Sequence, residues 1–119
     1  MLDRISLKEI LDEDLEDVYY FLSSNFDPKL KLDTWLKAFS HSWMSEKPNN
    51  GFMLEENGTV VGVFCAFYSQ RKTRKGIQYV CNTSTWFVLD NYRSHSLKLM
   101  AAMLGQKGFF FTSLSASTD

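Results

Sequence analysis

Cysteine, proline and net charge are all scarce in this 119-residue chain. The two cysteines, Cys65 and Cys81, lie in apolar runs with no CxxC and no Cys/His cluster beside them. That pattern reads as two small buried thiols, with a disulfide or metal site as the lesser alternative. The two prolines, Pro28 and Pro48, sit in loop-like contexts, so neither interrupts a regular element. Thirteen basic against fourteen acidic side chains leave a formal charge of −1. No whole-protein field therefore draws in nucleic acid or an anionic membrane, and an anion site has to be local. No apolar stretch has the length of a spanning helix, and the start, Met1-Leu2-Asp3-Arg4, is charged at once, unlike a signal peptide. These absences predict a cytoplasmic protein without membrane contact. Repeats, low-complexity segments and interdomain linkers are absent as well.

What is present is apolar material: 45% hydrophobic residues, 15% aromatic. In a chain this short that suffices for one core, so residues 1–119 are expected to form a single domain. The segment 3–10 alternates apolar and polar residues and reads as a short half-exposed strand, with Asp12 capping the helix after it. From Glu13 to about Ser24, Leu15, Val18, Tyr19 and Leu22 recur at helical spacing behind an acidic first turn. Asp27-Pro28 breaks the helix, and Asp33 opens a second one with Trp35, Leu36, Phe39 and Trp43 on its apolar side and His41 on its polar side. The aromatic spacing there suits core.

The loop 47–51 leads to a strand at 52–56, and Asn57-Gly58 signals a type I′ hairpin because both central positions need positive φ. The return strand, Thr59 to about Gln70, is almost continuously apolar, as in a central strand covered on both faces. A basic loop, 71–76, precedes a β-rich run from Ile77 to Leu89. Helix resumes at Ser94 or Ser96 and runs to Leu104, with Leu97, Met100, Ala101 and Leu104 as its buried face and Gly105 as terminator. The last strand starts at Phe109. The order is β-α-α-β-β-β-α-β around a mixed sheet, an α+β (α/β) fold.

A strand ending at Val88-Leu89-Asp90-Asn91-Tyr92-Arg93 and turning into a helix presents backbone N–H groups and a positive dipole end, which together make an anion seat. With a crossover to a parallel last strand, the seat falls at the carboxyl ends of the strands, where open α/β sheets bind ligands.

The element order and the run from Val88 through Tyr92-Arg93-Ser94-His95-Ser96-Leu97-Lys98 resemble the GNAT superfamily of acyl-CoA-dependent N-acyltransferases. In that family a Gln/Arg-x-x-Gly-x-Gly/Ala turn holds the cofactor pyrophosphate; here Arg93 takes its first position, Ser96 the first glycine and Lys98 the Gly/Ala position. The resemblance implies that Phe87, Val88, Leu89, Arg93, Ser94, His95, Ser96, Leu97 and Lys98 bind acetyl-CoA or another acyl-CoA, with no metal. It also implies that the amide of Val88, or of a residue beside it, polarises the thioester. Serine suits a helix start and can bond phosphate, whereas Lys98 either supplies a point charge or fills the pocket.

The family's basic glutamate on the strand 77–89 has no counterpart among Gln78, Tyr79, Asn82, Thr83, Ser84 and Thr85, and Asp90 points toward the phosphate end. No general base or acid is assigned. The resemblance also implies a domain incomplete at its C-terminus, with a homodimer or a partner chain covering the last strand. The expected function is transfer of an acyl group to a small amine or amino-sugar. The alternative is a catalytically silent module that binds acyl-CoA or a protein. Nucleic acid, through the basic loop, is the least favoured partner, since the aromatics are not interleaved with basic residues on one sheet face. His95 is expected to face solvent.

Overall fold

A computed structural model describes residues 4–40 and 47–113. The elements follow in the expected order: β1 (Ile5–Glu9), α1 (Leu15–Asn25), α2 (Leu32–Ser40), β2 (Gly51–Glu56), β3 (Thr59–Thr73), β4 (Gly76–Val88), α3 (Ser96–Leu104) and β5 (Phe110–Ser113). Short 3-10 turns, Asp12–Asp14 and Asp90–His95, precede α1 and α3. The strands form one sheet in the order β1-β2-β3-β4-β5, antiparallel throughout except for the parallel pair β4–β5. This is the mixed α+β architecture anticipated from the sequence.

Each sheet face carries its own apolar cluster. Leu15, Val18, Phe21 and Leu22 of α1 and Phe39 of α2 pack with Met53, Val63 and Cys65 on one face. Leu99 and Met103 of α3 pack on the other with Leu54, Val61, Tyr68, Cys81 and Val88. Both faces of β3 are thus covered, which explains its unbroken apolar run. Trp35 donates its indole N–H to the Leu15 carbonyl at 3.0 Å, and Phe39 stacks on Phe67 with ring centres 4.5 Å apart, so these aromatics are core. His41 and Trp43 lie outside the described residues.

Four local expectations need correction. Asp12 does not cap α1: the backbone makes a tight 3-10 turn first, and the carboxylate that reaches back is Asp14, accepting from the Leu11 amide at 2.9 Å and pairing with Lys8 at 3.1 Å. Asp12 instead accepts from the Asn50 amide at 2.9 Å and pairs with Lys47 at 3.3 Å. The Asn50 hydrogen bond first, and Lys47 after it, hold the Asp12 carboxyl below its usual range.

The buried face of α3 is Leu99 and Met103, not Leu97 and Leu104, which are 71% and 52% exposed. Nearly every residue from Leu97 to Leu104 is apolar, so spacing alone cannot choose a side, and packing on the sheet decides. The strand β3 runs on to Thr73, with Arg71↔Gln78 and Lys72↔Ile77 in register, so the basic run is mostly ladder and only Arg74-Lys75 turns. The fourth point is Gly51, which begins β2 rather than closing a loop.

Asn57 and Gly58 have φ of 53° and 84°, the backbone that a type I′ turn demands. Gly51 is more constrained. Its φ is 116°, and a Cβ placed on it would sit 2.1 Å from the Phe64 carbonyl oxygen and 2.7 Å from the Cys65 Cα. The backbone around it ties the end of β1 and the start of β2 to the middle of β3: Ile10 donates to the Gly51 carbonyl at 2.8 Å, Asn50 to Ile10 at 2.7 Å and Ala66 to Asn50 at 3.0 Å. Gly51→Ala is expected to lower stability by more than about 2 kcal/mol. Urea unfolding would show it as a lower midpoint at unchanged slope. A midpoint equal to that of the parent protein would show that this junction of β1, β2 and β3 can separate without cost.

Candidate functional site

A bulge in β4 shapes the site. Phe64 pairs with Trp86 and Ala66 with Thr83, so Ser84 and Thr85 together face Cys65 alone. On its other edge β4 has a partner only at Val80–Thr83, opposite Phe110–Ser113 of β5. From the bulge to Val88, β4 therefore opens a notch on the β5 side among the described residues. The last bonds across this junction tie Thr83 Oγ1 to the Thr112 carbonyl at 3.1 Å and the Thr112 hydroxyl to the Asn82 side-chain oxygen.

The direction of the amides follows from one bond. Leu89 donates its N–H to the Val61 carbonyl at 3.0 Å, toward β3. Successive N–H groups along a strand point to opposite edges, so Phe87 also donates toward β3, while Trp86 and Val88 point into the notch. Of the three amides around Val88, geometry selects Val88 itself and adds Trp86. Beside them lies a cleft of about 260 Å³ lined by Trp86, Phe87, Val88, Arg93 and Ser96. Four of these were candidates from the sequence. Trp86 was not, because its place depends on the bulge; its indole stacks on Phe64, ring centres 4.9 Å apart.

The remaining candidates separate by side. Val88 is buried against α3, while the Phe87 ring turns to the α1 face, 5.8 Å from Phe21 and 5.3 Å from Phe26. Leu89 is half-buried between the two clusters. Ser94, Leu97 and Lys98 are exposed and do not line the cleft. His95 is half-buried, not solvent-facing: its Nδ1 is enclosed without a hydrogen-bond partner among the described residues, because the 3-10 turn folds the ring inward before α3 begins.

That turn also changes the expected anion seat. With Ser96 and Lys98 where the family pattern has glycine, the chain does not open into a loop but runs from 3-10 turn into α3, and the Ser96 amide already donates to the Arg93 carbonyl. Fewer free amides remain, so side chains carry more of the anion chemistry. Arg93 is held at 3.0 Å by the Asp90 carboxylate, both well exposed. The Tyr92 hydroxyl donates to the Glu56 carboxylate, pinning the turn to the end of β2, and this bond holds the Tyr92 hydroxyl above its ordinary pKa. Both carboxylates near the turn are thus engaged, and none lines the cleft.

No protein-family model matches the chain, and no curated protein matches it in sequence. Solved structures do resemble it. An aminoglycoside N-acetyltransferase, AAC(6')-Iy, in complex with CoA shares 17% identity over 98% of this chain and 82% of that one, with a TM-score of 0.66. An acetyltransferase of Trypanosoma brucei shares 16% identity over 97% of this chain and 84% of its own, TM-score 0.62. A transcriptional regulator from Bacillus halodurans shares 13% identity over 96% and 83%, TM-score 0.66. The fold is therefore that of the GNAT acetyltransferases.

Both cysteines are free and buried, so neither is placed as an accessible thiolate. Burial pushes the Cys65 thiol up to about 12 and the Cys81 thiol up to about 11. Both stay protonated near pH 8, and a thiol reagent is expected to label them only as fast as the chain unfolds. Because their folded pKa values exceed the ordinary thiol value of 9.0, any stability linked to these thiols is intact below about pH 9 and lost as pH rises toward 11 and 12. Rapid labelling of native protein would show that one of the two sits in an opening path.

Proposed function

We propose that the chain binds acetyl-CoA or another acyl-CoA in the Trp86–Ser96 cleft and transfers the acyl group to a small amine or amino-sugar. One observation carries this reading: past the bulge, the Trp86 and Val88 amides point away from β3 into a notch that no described strand fills. Two such donors on a rigid strand suit an extended amide-bearing chain ending in a thioester, with one amide polarising the carbonyl as transfer proceeds. CoA would supply the activated acyl group. Arg93 would meet its phosphates after letting go of Asp90, with the Ser96 hydroxyl beside it. An aminoglycoside N-acetyltransferase of the same fold is solved in complex with CoA, which supports the acyl donor and the amine acceptor as ligand classes.

On the α1 side, the exposed Phe26 and half-buried Phe87 offer the acceptor an aromatic wall backed by the buried Phe21. Among the described residues, no carboxylate or imidazole lines the cleft to take up the amine proton. That observation favours a second reading, a module that binds acyl-CoA and does not turn it over.

Calorimetric titration with acetyl-CoA and with CoA tests the first reading, and heat from both is expected. Arg93→Ala should weaken binding, more so at low salt, whereas Asp90→Asn should strengthen it two- to about fivefold by freeing Arg93 from an exposed ion pair. Product formation with a panel of amines then separates transfer from silent binding. Absence of heat at millimolar cofactor would sink both.

A further inference from the structure

The far end of the β3–β4 hairpin is not accounted for by the cleft. The strand β2 pairs with β3 only as far as Cys65, and β5 pairs with β4 only from Val80. Residues 70–73 and 76–79 therefore stand out as a two-stranded ribbon with neither edge paired among the described residues. Bare ribbons of this kind add little stability by themselves.

The charge on this ribbon is one-sided. No acidic residue occurs between Glu56 and Asp90, a stretch that contains Arg71, Lys72, Arg74 and Lys75. None of these four makes an ion pair with a described residue. A solubilising tip would be basic too. It would not also expose three large apolar side chains, yet Ile77 is 52%, Tyr79 41% and Phe110 49% exposed. They border a groove of about 520 Å³ lined also by Thr73, Lys75 and Gln78.

A basic side chain stands beside an aromatic one on each face of the ribbon. The guanidinium of Arg71 lies 5.7 Å from the centre of the Phe110 ring and donates to the Gln78 side chain at 2.8 Å. On the opposite face Lys72 stands across from Ile77, next to Tyr79. Cations that track a phosphate backbone, interleaved with ring faces on which unpaired bases can stack, are what single-stranded nucleic acid needs from a protein. The basic run, read from sequence as a loop without aromatics, becomes in the folded chain a strand pair flanked by them.

We infer that the ribbon, with its groove between Lys75, Tyr79 and Phe110, is a binding surface for single-stranded nucleic acid, separate from the acyl-CoA cleft at the other end of β4. Phosphates would meet Lys72, Arg74 and Lys75, and a base would stack on Tyr79.

The test is fluorescence anisotropy with a labelled oligouridine of about ten nucleotides, from about 50 to 200 mM salt. Binding is expected to fall about twentyfold over that range if three phosphates are contacted. The triple variant K72E/R74E/K75E should lose binding. Tyr79→Ala should weaken it about tenfold with little change in salt slope, and Tyr79→Phe should restore it. Circular dichroism melts and the acetyl-CoA titration should be unchanged in every variant, which keeps this surface distinguishable from the cleft. The inference is overturned if oligouridine leaves the anisotropy unchanged, or if charge reversal or Tyr79→Ala leaves affinity intact. Tighter binding of a duplex than of the single strand overturns it as well. So does capture of the protein by phosphatidylserine vesicles without capture of the oligonucleotide, which would make the ribbon a lipid contact.

Discussion

Through its middle, β3 is hydrogen-bonded on both edges, to β2 and to β4, and covered on both faces by helices. Its neighbour β2 is likewise paired on both edges and packed on both faces, so β3 is backed by a second enclosed strand. The position of β3 is consequently fixed, and β4 must adjust to it. Where β4 carries one residue more than β3 can match, the excess becomes the bulge at Ser84-Thr85. That local misfit turns the rest of β4 so that Trp86 and Val88 offer their amides to an edge that β5 does not reach. The cleft is thus a consequence of register between two strands, and Gly51, pressed against the Phe64 carbonyl, helps set that register from the β2 side.

The same dependence explains what could be read from the residues alone. The Asn57-Gly58 turn was legible because its backbone requirement is local: both residues must accept positive φ, and both do. The helices α1 and α2 were legible from one-sided apolar spacing. Leu97-Leu99-Met100-Met103-Leu104 was not, because an apolar residue stands on every side and only contact with Val88 and Cys81 selects Leu99 and Met103. The bulge leaves no mark in composition, since Ser84 and Thr85 look like any strand residues. Trp86 was therefore passed over as a site residue while its neighbours Phe87 and Val88 were chosen. Arg71 to Thr73 read as loop because charge resembles solvent exposure, and a ribbon with both faces in water is exposed without being irregular.

The turn at 90–95 shows how a departure from a family pattern is absorbed. Glycine would let the backbone open and come close to an anion; serine and lysine have a Cβ and favour continuous helical dihedrals. Residues 90–95 accordingly wind into a 3-10 turn and satisfy their amides internally. An anion arriving there would meet Arg93 and Ser96 side chains where the family pattern offers backbone. Such a site binds by charge more than by shape, which makes it weaker in salt and less selective for pyrophosphate geometry. Asp90 and Glu56 are both tied into the turn, one on Arg93 and one on Tyr92, so the turn is braced without contributing a base.

The two surfaces proposed to meet anions lie on one strand, which raises the question of interference. Tyr79 and Val88 are nine positions apart on β4, which at about 3.3 Å per residue is roughly 30 Å. The Debye length at physiological salt is about 8 Å, so charge bound at one end is screened several times over before it reaches the other. Side chains do not link them directly either: Arg71 and Lys72 point along the ribbon's own faces, and Arg93 lies beyond the bulge on the α3 side. What they share is the rigid β3–β4 ladder, whose packed centre transmits little unless it has two arrangements to switch between. With β3 held on all four sides through its middle it has one, so the two proposed sites are expected to act independently on a common support.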